Sequence, residues 1–278
     1  MVSEKTLPIV VKLGGSEGVD LDGFARDAAA VIRSGRRVVI VHGGSHATNV
    51  LATQLGHPST TITSPSGHTS RRTDRRTLEI FQMACRGVMN QALVERLLRE
   101  GVNAVGISGL DGRTWVGARK DAIRSVEEGR IRLIRDDFSG SVEAVDTRLI
   151  ETLLAAGFTP VISPPALSTG GEPINVDADR AAAATAIALK AETLVLLSNV
   201  PGVLRAFPDE STLIREVKPG EGASVSDVAA GRMKKKVLAA NDARAAGVLR
   251  VVIGDARTNG PGGGPITASL AGQGTVFS

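Results

Sequence analysis

Ile9-Val10-Val11-Lys12-Leu13-Gly14-Gly15-Ser16 and Val38-Val39-Ile40-Val41-His42-Gly43-Gly44-Ser45 decide the fold. Each segment opens on an apolar run of strand length and closes on a glycine pair. That pattern reads as a buried strand turning sharply into a helix. Glycine lets backbone N–H groups approach a ligand with no Cβ in the way. N–H groups at such a turn, with a helix N-terminus behind them, form an anion site. Two such turns, with Lys12 at the mouth of the first, point to a polyanion such as a phosphoryl group in transfer.

The same alternation continues along the chain. A helix with an apolar face at Phe24, Ala28, Val31 and Ile32 follows the first turn, with Asp22 as its expected cap. A second runs from about Ala47 to Leu55, and a polar loop from Gly56 to Ser70. Thr73 or Asp74 then caps a long helix whose stripe is Leu78, Phe81, Cys85, Val88 or Met89, Ala92 and Leu97. Strands are expected at Val102–Ile107, Thr159–Ser163, Leu194–Leu197 and Arg250–Ile253. Helices are expected at Thr147–Ala156, after Asp177 and Asp179, and at Met233–Ala246. Trp115 to Phe138 breaks the pattern: short β-like pieces around Glu127-Glu128-Gly129 read as a hairpin or lid rather than core. The whole predicts an α/β fold, a mostly parallel open sheet between two helical layers, a three-layer αβα sandwich. Ligands bind such sheets at the carboxyl ends of strands, which would put both glycine pairs, Ser108-Gly109 and Asn199 on one edge.

The 278 residues suffice for one large α/β domain or two fused lobes. Tyrosine is absent and aromatics are scarce, so alanine and aliphatic side chains must fill the core. A single cysteine, Cys85, rules out an internal disulfide and a cysteine-based zinc cluster and suits a reducing, cytoplasmic setting. No signal peptide or membrane span is visible. The net charge of +4 is compatible with an acidic partner or an anionic substrate, and equally with an ordinary soluble surface. Few stacking aromatics and no binding motif argue against nucleic acid.

Lys12 could neutralise a transferring phosphoryl group, or be a solvated strand-end lysine. In Lys234-Lys235-Lys236, helical spacing lets only one or two side chains face a common site. Asp177 and Asp179 could cap a helix, or one could hold a catalytic lysine in place. Arg71 and its neighbours up to Arg76 offer guanidinium forks that match carboxylates. The four histidines lack metal-ligand spacing, His42 reads as packed or hydrogen-bonded at its strand end, and no carboxylate pair demands a protein-held metal. Mg²⁺ could arrive with nucleotide phosphates. Hydrolase elbows and zinc-binding helices are absent.

These pieces occur together, and in order, in the amino-acid kinase family. The chain resembles it over essentially its full length, through Val11-Lys12-Leu13-Gly14-Gly15, His42-Gly43-Gly44, Arg71-x-Thr73, Asn175-x-Asp177-Ala178-Asp179, Ser198-Asn199-Val200-Pro201-Gly202 and Gly231-x-Met233-x-x-Lys236. Within the family it is most similar to the N-acetylglutamate kinase branch, and there to the kinases that act on an amino-group carrier protein. Ser70 to Phe81, Gly106 to Arg113, Pro164 to Ser168 and Asn199 carry that closer likeness.

The resemblance implies that ATP phosphorylates a side-chain carboxylate to an acyl phosphate. Lys12 and Lys236 would offset charge on the moving group from opposite sides, with Asp179 orienting both. Gly14 and Gly15 on the nucleotide side, and Gly43 and Gly44 on the substrate side, would donate backbone N–H groups. Arg71 would clamp the substrate α-carboxylate and Asn175 its amide region. Asn199, Gly202 and Phe207 would border the nucleotide. The expected division is a substrate-binding and dimerising lobe over residues 1–170 and an ATP lobe over 171–278. The implied partner is an acidic carrier protein, steered by a basic rim at Arg72, Arg75, Arg76, Arg119, Lys120, Arg124, Arg130 and Arg132, and a homodimer is expected. The alternatives are the same chemistry on free N-acetylglutamate, or a non-catalytic nucleotide sensor on this fold. The glycine-rich stretch Gly260 to Pro265 has no counterpart in the expected pattern.

Overall fold

Alternate residues of one strand feed two different cores. Ile9, Val11 and Leu13 pack with Phe24, Ala28, Leu93, Leu97 and Ile266, whereas Val10 packs with Val39, Ala182, Ala186, Val237 and Ala240. Side chains of a strand point alternately to opposite faces, so a strand apolar at every position must be covered on both. Lys12 is the exception in this run, and by the same alternation it lies on the face of Val10.

The computed structural model describes residues 6–15, 17–65, 67, 69–127, 129–259 and 263–278. Its main sheet has eight strands, in the order Glu216–Val217, Thr275–Phe277, Arg250–Asp255, Thr193–Ser198, Ile9–Leu13, Val38–His42, Thr159–Ser163 and Ala104–Ser108. The run from Arg250–Asp255 to Ala104–Ser108 is parallel throughout. Thr275–Phe277 pairs antiparallel with it, and Glu216–Val217 follows Thr275–Phe277. Helices Leu21–Arg33 and Gln91–Arg99 cover one face, and Ala178–Ala188 and Gly231–Ala245 the other. This is the three-layer α/β sandwich expected. The described residues include no helix long and apolar enough to cross a membrane.

The differences from the sequence reading have local causes. Asp20, not Asp22, caps the first helix, accepting from Gly23 N at 2.9 Å. The glycine turn opens directly into the second helix at Ser45. Within the polar loop, Thr61–Thr63 and Thr69–Arg71 pair as a small hairpin. Asp74 caps the long helix through Thr77 N at 2.7 Å. That helix is interrupted by a π-helical segment, Met83–Asn90. The wider π turn shifts the helical phase. Buried positions therefore pass from Leu78, Phe81 and Cys85 to Asn90, Leu93 and Leu97, leaving Val88 half exposed at 50%.

Trp115 corrects the lid expectation. It is fully buried, and its indole N–H donates to Thr185 Oγ1 at 2.9 Å. Its strand, Trp115–Arg119, belongs to a four-stranded sheet with Gly140–Val145, Ala166–Ser168 and Pro173–Ile174. Within Trp115 to Phe138, Ile123–Glu127 and Arg130–Ile134 pair as a separate hairpin, and Glu128 lies outside the described residues. In the glycine-rich stretch, residues 260–262 also lie outside them.

The end of that stretch is tied down by Asp27, a buried carboxylate on the first helix. Asp27 accepts from Gly264 N at 3.2 Å, Ile266 N at 2.6 Å, Thr267 N at 3.1 Å and the Thr267 hydroxyl. It thereby caps the Pro265–Leu270 helix from another part of the chain. Asp27→Ala would strand these donors, and a loss of about 2–3 kcal/mol of stability is expected in urea denaturation.

Candidate active site

The two glycine turns meet. A Cβ on Gly15 would lie 2.5 Å from Gly44 N and 2.6 Å from Gly43 C, so only glycine fits there. Gly43 N donates to Leu13 O at 3.3 Å, which spends that N–H inside the protein. The Ser45 hydroxyl and His46 N both donate to Gly15 O, at 3.1 and 2.9 Å, and join the turns from the other side. No backbone carbonyl among the described residues accepts from Gly15 N or Gly44 N.

Lys12, on the strand entering the first turn, meets Asp179, whose helix starts beside the second turn, with Ala178 Cβ 3.8 Å from where a Cβ on Gly43 would lie. Asp179 stands at the second position of the Ala178–Ala188 helix, where the N-terminal partial charge favours a carboxylate. Asp177 caps that helix, accepting from Asp179 N at 3.0 Å and Arg180 N at 3.2 Å. Lys236 arrives from the Gly231–Ala245 helix. Lys12 Nζ lies 2.9 Å and Lys236 Nζ 2.7 Å from the same oxygen, Asp179 Oδ1. All three residues are buried. Of the lysine triplet, Lys235 lies 3.5 Å from Asp177 and Lys234 is exposed, so one member reaches the centre.

The charges in this triad are strongly coupled. Burial opposes the Asp179 carboxylate, but Lys12 and then Lys236 overcome it and hold the group well below the usual carboxylate range. Burial also opposes an ammonium at Lys12, yet Asp179, helped by Asp177, holds it above its ordinary value. Burial, assisted by repulsion from Lys12, outweighs Asp179 at Lys236 and lowers it to about 8. Two ammonium groups share one counter-charge, so the first proton to leave comes from Lys236. If the charged form is the working one, kcat/KM falls as pH rises through about 8. By pH 9 roughly a tenth of the free enzyme would retain that proton. A pH–rate profile of kcat/KM checks this, and a flat profile to pH 9.5 would contradict it.

The other expected site residues are distributed around this centre. Arg71 donates to Ser45 O at 3.0 Å and Asn49 Oδ1 at 2.6 Å, so it lies over the start of the helix that follows the second turn. Asn175 donates to Thr73 Oγ1 at 3.0 Å, which links the Arg71-x-Thr73 segment to the approach to Asp179. Asn199 follows the Thr193–Ser198 strand, next to the Ile9–Leu13 strand in the sheet, and is exposed. Phe207 is 77% exposed. Gly202 is buried, where a Cβ would meet Thr275 Oγ1 at 2.5 Å and Leu213 Cδ1 at 2.8 Å. Its small size answers to packing at that point.

Side chains behind the second turn escaped the sequence reading. Asn90 and Arg86 come from the π-helical segment and connect to His42. Polar residues four apart beside a buried apolar stripe were the available signal. Cys85 is buried, which pushes its thiol up to about 12 and leaves it a packing group.

A buried carboxylate neutralised by two ammonium groups, beside a junction of bare glycine amides at a parallel-sheet edge, is built to receive negative charge. Residues 8–255 match the Amino acid kinase family, and the chain belongs to it. That is a family of phosphotransferases, in which ATP is the phosphoryl source. Over 270 residues the chain is 57% identical to the [LysW]-aminoadipate kinase of Deinococcus radiodurans, covering 97% of this chain and 91% of that one. It is 49% identical to the [LysW]-aminoadipate kinase of Thermus thermophilus, covering 96% and 99%. Among solved structures it superposes on N-acetylglutamate synthase from Neisseria gonorrhoeae with a TM-score of 0.74 at 26% identity. The match spans 98% of this chain and 59% of the synthase.

Proposed function

We propose that this protein transfers the terminal phosphoryl group of ATP to the side-chain carboxylate of aminoadipate, or its shorter homologue glutamate, held through its amine on an acidic amino-group carrier protein. The product is an acyl phosphate. The observation that carries the reading is the pair of lysines on one oxygen of Asp179, beside the glycine junction. The names of the relatives at 57% and 49% identity supply the acceptor.

A carboxylate is already a competent nucleophile at neutral pH, so no strong base is needed. Its oxygen forms the new bond to phosphorus as the bond to the bridging oxygen of ADP breaks. Lys12 and Lys236 offset charge on the group in flight, Asp179 holds both in place, and Gly15 N and Gly44 N, which no backbone carbonyl among the described residues engages, are the proposed amide donors to it. Positioning and charge stabilisation carry the step. Arg71 turns from Asn49 to the substrate carboxylate, and Asn175 meets the amide region. The nucleotide lies toward Asn199 and Phe207, over residues 171–278, with the acceptor over residues 1–170. The described residues contain no group of three or more His, Cys, Asp or Glu side chains able to hold a metal ion. Mg²⁺ therefore fits as an ion carried in on the nucleotide phosphates.

The test supplies ATP with carrier-bound aminoadipate, carrier-bound glutamate or free N-acetylglutamate and traps the acyl phosphate with hydroxylamine. Hydroxamate formation from a carrier-bound substrate is expected; formation from N-acetylglutamate alone would move the assignment to the free substrate. An acidic carrier also predicts a rate that falls as salt rises. Arg72 already pairs with Asp136, Arg75 and Arg76 with Glu79, and Arg119 with Glu172, which trims their share of the rim field. A rate indifferent to ionic strength would exclude steering.

The protein is proposed to be a homodimer through the long helix. Met83 and Val88 are exposed there, as are Val50 and Leu55 on and just after the adjacent Ser45–Gln54 helix. Light scattering at the monomer mass would refute this.

A further inference from the structure

The second glycine turn rests on a buried polar chain. Arg86 donates to Gly106 O at 2.8 Å and to Asn90 Oδ1 at 2.8 Å. Asn90 Nδ2 donates to Val161 O at 2.9 Å and to His42 Nε2 at 3.0 Å. His42 Nδ1 then donates to Gly43 O at 2.8 Å. A carbonyl can only accept and an amide nitrogen can only donate, so both contacts demand the same imidazole: neutral, with its proton on Nδ1. His42 and Asn90 are fully buried. Burial, with smaller contributions from Lys12 and Arg86, lowers His42 to about 4 and keeps the ring neutral.

Two observations show that the fit is close. A Cβ on Gly106 would lie 1.9 Å from Asn90 Oδ1, so the strand must be bare there for Asn90 to enter. A Cβ on Gly44 would lie 2.6 Å from Cys85 Sγ and 3.3 Å from Cys85 Cα. Both Cys85 and Asn90 belong to the π-helical segment Met83–Asn90.

We propose that Asn90 and His42 are positioning residues for phosphoryl transfer, fixing the plane of the Gly43–Gly44 peptide so that Gly44 N–H faces the Gly15 junction. In a trans peptide the carbonyl and the N–H point in opposite directions. Tying Gly43 O down to His42 therefore turns Gly44 N–H the other way. Without the tie, a two-glycine turn has wide freedom, and a donor aimed at a transition state loses its value when it must reorient. The π-helical segment acts as a rigid backing plate for this turn.

The inference rests on the phosphoryl-transfer reading, and its test separates the two. Asn at position 42 can place an amide donor near the Nδ1 position, whereas Gln can present an acceptor near the Nε2 position. His42→Asn therefore retains the bond to Gly43 O, and His42→Gln retains the contact with Asn90 alone. In the hydroxylamine assay, His42→Gln and Asn90→Ala are expected to lose about 10- to 100-fold in kcat, with KM for ATP within about twofold of the parent. His42→Asn is expected to keep kcat within about threefold. Equal losses in the two His42 variants, or a folded His42→Gln at parental kcat, would overturn the proposal.

Nitrogen-15 NMR of the His42 ring in the unaltered protein reads the tie without any substitution. The Nδ1–H tautomer from pH 5.5 to 8 supports the proposal, and an Nε2–H tautomer overturns it. An unaltered protein that forms no hydroxamate with any acceptor, while its His42 shows the Nδ1–H tautomer, would sink the phosphoryl-transfer reading instead.

Discussion

Asp179→Asn is expected to cost about 3–5 kcal/mol of stability at pH 7 and to lower kcat about a thousandfold. The substitution keeps size and removes only charge. It leaves two ammonium groups, Lys12 and Lys236, buried without the charged oxygen both now share. The sign of the pH dependence then reverses between the two proteins. In the parent, the Asp179 carboxylate is held below its ordinary value. Its contribution is therefore present above the unfolded carboxylate value of about 3.9 and lost as pH falls below it. In Asp179→Asn, the buried lysines are depressed below the unfolded lysine value of about 10.4, so the unfolded chain binds more protons and stability rises with pH. The urea midpoint of the variant should thus recover between pH 7 and 9.5 relative to the parent. A deficit independent of pH would mean that the lost interaction is not electrostatic.

Lys236→Met and Lys12→Met are expected to lower kcat about 100- to 1,000-fold at a smaller cost in stability than Asp179→Asn. Removing either lysine leaves a one-to-one ion pair with Asp179, which relieves the repulsion between ammonium groups. Activity and stability therefore separate in the lysine variants and fall together in the aspartate variant. In Lys236→Met the alkaline limb near pH 8 should also disappear from kcat/KM, because Lys236 is the group lowered there. Full turnover by Lys12→Met would remove Lys12 from the charge stabilisation proposed for it. Hydroxamate assays and urea denaturation on one set of proteins decide both points.

The strands and glycine turns were legible because their signals are local. Runs rich in valine and isoleucine needed no context: with apolar residues on both alternating faces, they had to be covered on both, as Ile9–Leu13 and Val38–His42 are. The long helix was legible as a helix, but its buried face after Cys85 was not. A π turn changes the phase by packing rather than by any residue that announces it, so Asn90 and Leu93 replaced Val88 and Ala92 on the inner side. Trp115 read as part of a hairpin or lid because its short β-like piece precedes the charged turn Glu127-Glu128-Gly129, and Thr185, far along the chain, supplied the partner that draws its indole inward. Asp27 gave no local sign that it caps a helix more than two hundred residues away.

The same division holds at the centre of the site. Sequence by itself determined that the chain alternates strand and helix, that two strands end in glycine pairs, and that Lys12 stands near a strand end and Asp179 near a helix start. Those are consequences of backbone sterics and hydrophobic periodicity within short windows. Spacing alone left open which of three consecutive lysines turns inward; the family resemblance pointed to Lys236 with Asp179, and only the tertiary structure shows that both ammonium groups settle on one carboxylate oxygen. The reason is physical: a charge is stabilised in a buried site only by the groups packed around it, and three separate elements must close together before those groups exist.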